Sequence, residues 1–182
     1  MNWDSSTEAG WFVKLAEDGS AVVIFDPAGG LYGKLSPTHP DEGDRTPGRR
    51  KPKSSVADRD RHVLTFRKGH PATLHLAEGP IGTVTDQKPG AMRRKNKRCE
   101  VAISGRTYIF THSSSRRATA LRDGIALAHM ARGRWSNRNT VTRKTVSVTD
   151  ALDECILTIF QKVVTPGRTG ALDQVMTDLS NI

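Results

Sequence analysis

Short apolar segments separated by glycine-containing turns constrain the fold of this chain more than any other feature. The segments are rich in β-branched residues or alternate in polarity, and turn residues recur about every 8 to 12 residues. This pattern predicts a mainly β fold, an antiparallel barrel or sandwich of many short strands. The predicted strands span residues 11–15, 21–26, 31–35, 62–66, 73–76, 81–85, 100–103, 106–111 and 140–148.

Two stretches, residues 21–35 and 72–84, share the order strand, glycine turn, apolar residue, glycine, strand. This order is typical of a hairpin whose turn needs a glycine with a positive φ angle. The second glycine, Gly33 or Gly82, marks a position where a bulge or a close backbone approach is expected. Because any two hairpins share these features, the similarity predicts local structure and is weak evidence for an internal repeat.

The pattern becomes helical near the C-terminal end of the sequence. Thr149 or Asp150 is suited to cap a helix over residues 151–164, in which apolar residues cover a broad face. The polar residues of its partial stripe are Glu154, Thr158, Gln161 and Lys162. We therefore expect an apolar, mostly buried helix that packs in or against the strands.

Two other stretches have helical character. Residues 171–179 form a shorter amphipathic segment after Pro166-Gly167, which ends the longer helix. For residues 116–131, a helix and a strand–turn–strand unit fit the pattern nearly equally well.

The length of 182 residues predicts one domain with tails. We expect an N-terminal tail over residues 1–9, a β domain over 10–166 and a short extension over 167–182. Residues 36–60 contain four prolines and almost nothing apolar, which predicts a flexible loop within the domain. The basic run at 49–53 in this loop is read as a plain solvated segment, with a nucleic-acid or localisation arm as the alternative.

The sequence excludes several classes of protein. No stretch reaches the roughly 18 to 20 apolar residues of a membrane span, and the first residues lack the pattern of a secretion signal, so we expect a cytoplasmic protein with peripheral membrane contact at most. Two cysteines, Cys99 and Cys155, form neither a disulfide framework nor a zinc-binding spacing. We interpret Cys155 as a small buried apolar residue and Cys99 as a passive strand thiol, although its basic neighbours would favour the thiolate.

The residues that usually carry catalysis show no recognisable pattern. The six histidines lack the spacings of metal sites, no serine or cysteine stands in a nucleophile-elbow sequence, and the glycine-rich turns lack a phosphate-loop spacing. The histidines are His39, His62, His70, His75, His112 and His129. We therefore predict no catalytic residue, no metal and no cofactor, and a protein that is not an enzyme.

Positive charge is concentrated in one part of the sequence. The net charge of the chain is +9, yet residues 88–144 contain fifteen lysine and arginine residues against two acidic residues, a net charge of +13. The remainder of the chain therefore carries −4. Since a merely soluble surface mixes its signs, this asymmetry indicates an interaction surface, with a plain solvated face as the alternative.

The basic residues are expected to meet at one end of the strands. If residues 100–103 and 106–110 form a hairpin about Ser104-Gly105, the loops before and after this hairpin emerge together. Arg143 and Lys144 are expected to extend the resulting patch, and Trp135 is an aromatic candidate for stacking or for a membrane interface. The predicted basic patch consists of Arg93, Arg94, Lys95, Lys97, Arg98, Arg116, Arg117, Arg132, Arg134, Trp135 and Arg138.

The sequence resembles the tubby-like superfamily, which includes phospholipid scramblases and plant LURP-one-related proteins. The similarity lies in the unit Gly79-Pro80-Ile81-Gly82-Thr83-Val84, the strand at 106–110 and the helix at 150–164. The resemblance implies a closed twelve-stranded barrel around a central C-terminal helix, and a binding module that is not an enzyme. Tubby proteins bind phosphoinositides through basic residues on the barrel, and residues 93–98 match these in composition. Scrambling and calcium dependence are not implied, because the lipid-attachment cysteines and the acidic calcium segment are missing.

Charge and resemblance together predict a module whose basic face docks a phosphate-bearing anionic ligand, with membrane phospholipid headgroups as the first expectation. Nucleic acid on the same face is the alternative, because both ligands present phosphates to arginine. A third hypothesis is a structural or assembly protein whose basic face meets an acidic protein partner.

Overall fold

The computed structural model describes residues 5–17, 20–37, 71–87, 98–133 and 140–164. These residues form ten strands and one C-terminal helix, which confirms the predicted mainly β fold. The predicted strand at 62–66 and the segment at 171–179 lie outside the described residues. The strands are β1 Phe12–Leu15, β2 Val22–Phe25, β3 Leu31–Pro37, β4 Ala72–Leu76, β5 Ile81–Gln87, β6 Arg98–Ile103, β7 Arg106–His112, β8 Arg117–Arg122, β9 Ile125–Arg132 and β10 Val141–Thr145.

All ten strands belong to one antiparallel sheet in which each strand pairs with its neighbours in the sequence. Strands β1 and β10 are the two edges of this order, so the sheet is not closed into a barrel among the described residues. Side chains from strands along the whole sheet meet in one apolar cluster with the helix. The sheet therefore curves around the helix and stays open between its edges.

Left-handed backbone at two-residue turns sets the hairpin register. Ser104 and Gly105 have φ angles of 53° and 71° and join β6 to β7, which confirms the predicted hairpin. Asp123 and Gly124, with φ angles of 50° and 84°, join β8 to β9 in the same way. The stretch at 116–131 is therefore strand–turn–strand and not a helix.

The two glycines that follow the hairpin turns occupy the tight positions expected from the sequence. A Cβ atom added to Gly82 would lie 2.8 Å from the Cβ of Ile103, which confirms the close approach. Gly33 lies beside a register shift between Ile24 and Phe25. Both hairpins thus use glycine where a side chain would force neighbouring strands apart.

The C-terminal helix fills the interior of the curved sheet. Helix α1 spans Ala151–Ile159 and continues as one π-helical turn over Phe160–Val164, and residues 155–164 are all buried. Asp150 caps it, since its side chain accepts from the Asp153 amide and the Asp153 side chain accepts from the Asp150 amide. The predicted boundaries and burial of the helix are confirmed.

The two ends of the sheet differ in what they carry. The turns at 104–105 and 123–124 lie at one end, together with the start of α1, and we call this the turn end. The opposite end of the sheet contains the last residues of β5, β7 and β9 and the first residues of β6 and β10. We call this second end the loop end.

Candidate functional site: a basic surface on the outer side of strands β6 to β10

Strand register places polar and basic residues in one line across the outer side of the sheet near the loop end. Cys99, Ala118 and Met130 are buried, so their neighbours along each strand project outward. With neighbouring strands about 4.8 Å apart, a line over five strands spans about 19 Å. The paired residues of this line are Arg98, Thr111, Thr119, His129 and Lys144.

A second line lies one step closer to the loop end. Arg117 pairs with Ala131, and Ala131 pairs with Thr142 on the other side. Because the Ala131 side chain is small, the surface is lower at this position than at the longer side chains beside it. Two shallow depressions of about 460 and 560 Å³ meet here and share Ser113, Arg117 and Ala131.

Serine hydrogen bonds hold the loop between β7 and β8 in a tight turn. The Ser114 hydroxyl accepts from the amides of Arg116 and Arg117 at 3.2 and 3.1 Å. The amides of Ser113 and Ser114 both donate to the carbonyl of Arg117 at 3.0 and 3.2 Å. The loop therefore fixes the backbone of two consecutive arginines while both side chains stay exposed.

Four cations of this surface lack acidic partners. Within the described part of the chain, no carboxylate pairs with Arg98, Arg116, Arg117 or Lys144. Glu100 lies two residues along β6 from Arg98, on the same side of the strand. We define the basic face as Arg98, Arg116, Arg117, Arg132 and Lys144.

The structure brings together every member of the predicted patch that it describes. Arg98, Arg116, Arg117 and Arg132 all lie at the loop end, as the predicted hairpin requires. Sequence reasoning missed His129 and the threonines between the cations, although the alternation around buried Ala118 and Met130 marks the outward positions. The predicted residues that lie outside the described part of the chain are Arg93, Arg94, Lys95, Lys97, Arg134, Trp135 and Arg138.

Arg143 does not extend the basic face, in contrast to the expectation from the sequence. Its side chain is 3% exposed and its Nη2 donates to the Glu154 carboxylate of α1 at 2.7 Å. The reason is strand alternation, because Arg143 pairs with the inward-facing Met130 whereas Lys144 pairs with the outward-facing His129.

Two more arginines face inward and anchor the start of α1. The fully buried Asp153 carboxylate forms ion pairs with Arg106 and Arg122 and accepts from the Tyr108 hydroxyl at 2.8 Å. Arg106 also pairs with Asp150 at 2.6 Å. Burial raises the pKa of Tyr108, and donation to Asp153 raises it further, so the phenol stays protonated.

The polar stripe of the helix faces the opening between the sheet edges. Gln161 Nε2 donates to the Val141 carbonyl of β10 at 2.8 Å and to Glu8 at 2.9 Å, while Glu8 accepts from the Arg143 amide at 2.9 Å. The Lys162 ammonium donates to the carbonyl of Ser5 at 2.8 Å. Residues 5–9, which the sequence assigns to a tail, therefore contact the helix and cover the β10 edge.

The remaining reactive side chains are isolated from one another. Within the described ranges, no three or more His, Cys, Asp or Glu side chains lie together as metal ligands. Cys155 is fully buried and its pKa is raised by burial to about 12, which fits a small apolar role. Cys99 is also buried, on the inner side of β6. His129 Nδ1 lies 3.1 Å from the Thr119 hydroxyl, a cross-strand contact.

Comparison with known proteins does not assign this chain to a family. No family model, curated protein or solved structure matches this chain. The tubby-like resemblance therefore stays a prediction. Among the described residues, no helix has both the length and the apolar character needed to cross a membrane.

Proposed function

We propose that this domain is a binding module, not an enzyme, that docks on an anionic phospholipid surface through the basic face. The observation that supports this proposal is that the four exposed cations of the basic face, all except Arg132, have no carboxylate partner in the described part of the chain. Unpaired cations repel one another, and a surface of phosphate groups would relieve that repulsion. The tubby-like resemblance points in the same direction.

The size of the basic face fits reversible recruitment to a membrane. Each lysine or arginine near an anionic bilayer contributes about 1 kcal/mol. The five cations of the basic face would together lower the dissociation constant by about a thousandfold or more. A shallow surface suits this ligand, because lipid headgroups move laterally to match the positions of the charges.

Lipid is favoured over single-stranded nucleic acid by the composition of the two lines. Proteins that bind single strands combine cations with aromatic side chains on which bases stack. Among the described residues of these lines there is no phenylalanine, tyrosine or tryptophan. Threonine, alanine and histidine stand between the cations instead, and the threonine hydroxyl and histidine imidazole groups would form polar contacts with headgroups.

Co-sedimentation with vesicles tests the proposal. The wild-type protein is mixed with phosphatidylcholine vesicles that contain about 30% phosphatidylglycerol, at low salt and again at high salt. The Arg117→Gln/Lys144→Gln variant is compared with Lys14→Gln/Lys34→Gln, which removes the same charge from exposed positions on β1 and β3. We expect salt-sensitive binding that the first variant weakens about 25-fold and the second leaves nearly unchanged.

Three results would contradict the proposal. If both variants weakened vesicle binding equally, the net charge of the protein, and not the basic face, would be what attracts it to the vesicles. No binding at low salt would exclude the lipid function. Tight binding of RNA or DNA by a protein that ignores vesicles would assign the basic face to nucleic acid, with a steep salt dependence as its sign.

A further inference from the structure

The larger depression on the basic face has the features of a defined anion site and not only of diffuse charge. It measures about 560 Å³ and lies where the β7–β8 loop meets the end of β9. Arg116, Arg117 and Arg132 line it together with Ala131, whose side chain is only a methyl group. Arg117 and Ala131 are cross-strand partners, so the loop and the strand end are held at a fixed distance.

Ser115 is the loop position at which both the backbone amide and the side-chain hydroxyl stay available as hydrogen-bond donors. The amides of Ser113, Ser114, Arg116 and Arg117 are used within the turn. In the described part of the chain, the amide and hydroxyl of Ser115 have no protein acceptor, and the guanidinium groups of Arg116 and Arg117 have none either. Ser115, Arg116 and Arg117, which carry these available donors, all line the same depression.

We propose that this depression is a subsite for a phosphomonoester group on a lipid headgroup, an inference that rests on the proposed function. A phosphomonoester carries close to two negative charges and three terminal oxygens that accept hydrogen bonds. Two guanidinium forks and two further donors match that number of acceptors. A phosphodiester carries one negative charge and has two free oxygens. Both of its ester groups would have to lie outside the depression.

The adjoining depression supplies room for the rest of the headgroup. It measures about 460 Å³ and continues from Arg117 and Ala131 across the outer side of β9 and β10. Thr119, His129 and Thr142 line it, so hydroxyl and imidazole groups stand next to the phosphate position. A headgroup phosphate over Ala131 would place its ester oxygen toward these groups.

The test compares vesicles that contain phosphatidic acid, a phosphomonoester lipid, with phosphatidylglycerol vesicles of the same measured surface potential. We expect the wild-type protein to bind phosphatidic acid about tenfold more tightly. The Arg116→Gln/Arg117→Gln variant should lose this preference. The charge-matched Arg98→Gln/Lys144→Gln variant, on the same face but outside this depression, should keep it while binding both lipids more weakly. Ser115→Ala should weaken binding of phosphatidic acid alone, by about threefold.

The outcomes separate this inference from the proposed function. Equal binding of the two lipids by the wild type, or a preference that survives in Arg116→Gln/Arg117→Gln, would overturn the subsite and leave anionic lipid docking in place. Failure to bind either vesicle would overturn both. Soluble glycerol 3-phosphate bound as tightly as phosphatidic acid vesicles would contradict the lipid assignment. Unfolding curves that match the wild type confirm that each variant is folded.

Discussion

The inner and outer sides of strands β6 to β10 use the same residue type in opposite ways. On the inner side, Arg106 and Arg122 meet the Asp153 carboxylate, and Arg143 meets Glu154. On the outer side, Arg98, Arg116, Arg117 and Lys144 have no carboxylate partner among the described residues. A count of basic residues therefore overstates the charge of a binding surface, because some of these residues anchor the helix instead.

The physical reason for this division is the cost of burying a charge. A cation that faces the helix must be paired, and the acidic residues at the start of α1 provide that compensation. They also complement the positive end of the helix dipole. A cation that faces water needs no partner, so it stays available for a ligand. Variants that remove either the inner ion pairs or the outer cations distinguish the structural role from the binding role.

The largest effect on stability is expected from removing the Asp153 carboxylate. Asp153→Ala leaves Arg106 and Arg122 without their shared partner and the Tyr108 hydroxyl without its acceptor. Because both arginines keep some access to water, we expect a loss of about 3 kcal/mol in the free energy of unfolding, at the low end for a broken buried pair. Urea unfolding measures it, with Glu100→Ala on the outer side as the control. A loss below 1 kcal/mol, or an equal loss in the control, would show that the inner arginines do not anchor the helix.

A smaller effect is expected at the opening between the sheet edges. Glu8→Ala removes the acceptor for the Arg143 amide and for Gln161 Nε2, which should cost about 1 to 2 kcal/mol. The Arg143 amide should also exchange its hydrogen faster in this variant, since it lies on the β10 edge and loses the Glu8 carboxylate as its acceptor. Glu78→Ala, in the exposed turn between β4 and β5, serves as the control. Unchanged exchange at Arg143 would show that residues 5–9 do not protect this edge.

The cap of the helix should show a pH dependence of stability. Burial acts to raise the pKa of Asp150, but hydrogen bonds from the Asp153 amide and from Arg106 outweigh it and lower the pKa below its ordinary 3.8. The ionised form therefore stabilises the fold above that value, and the stabilisation is lost as the pH falls through the folded-state pKa. Asp150→Asn keeps a capping side chain but has no charge to lose, whereas Asp150→Ala should cost about 1 kcal/mol at neutral pH.

Thermal unfolding between about pH 5 and pH 2 measures this dependence. The wild type should lose stability more steeply than Asp150→Asn below about pH 4, while Glu8 and the other carboxylates contribute equally to both proteins. Parallel curves for the two proteins would contradict the role of the Asp150 charge.

Much of the fold could be predicted from the sequence because its signals are local. Turn glycines, β-branched segments and the apolar run after Asp150 each report on a few neighbouring residues. The ambiguous stretch at 116–131 was decided by Asp123-Gly124, whose left-handed turn requires pairing between β8 and β9. The sheet opening was not predictable, since it depends on how ten strands curve together.

The candidate site could be predicted in part. The hairpin about Ser104-Gly105 placed Arg98 at the same end as Arg116 and Arg117. The alignment of Arg98 with Lys144 depends on four successive strand registers, which no local pattern reveals. Likewise, the acidic partners of Arg106 and Arg122 lie more than thirty residues away in the chain, so the sequence alone counts these arginines in the net charge of residues 88–144 without showing that they face inward.

The most direct test of the account is vesicle binding by a variant that removes only outer cations. The variant Arg98→Gln/Arg116→Gln/Arg117→Gln/Lys144→Gln should keep the wild-type free energy of unfolding within about 0.5 kcal/mol, because these side chains are exposed and unpaired. Its affinity for vesicles with phosphatidylglycerol should fall more than about a hundredfold at low salt. A stable variant that binds these vesicles as tightly as the wild type would contradict the assignment of lipid docking to the basic face.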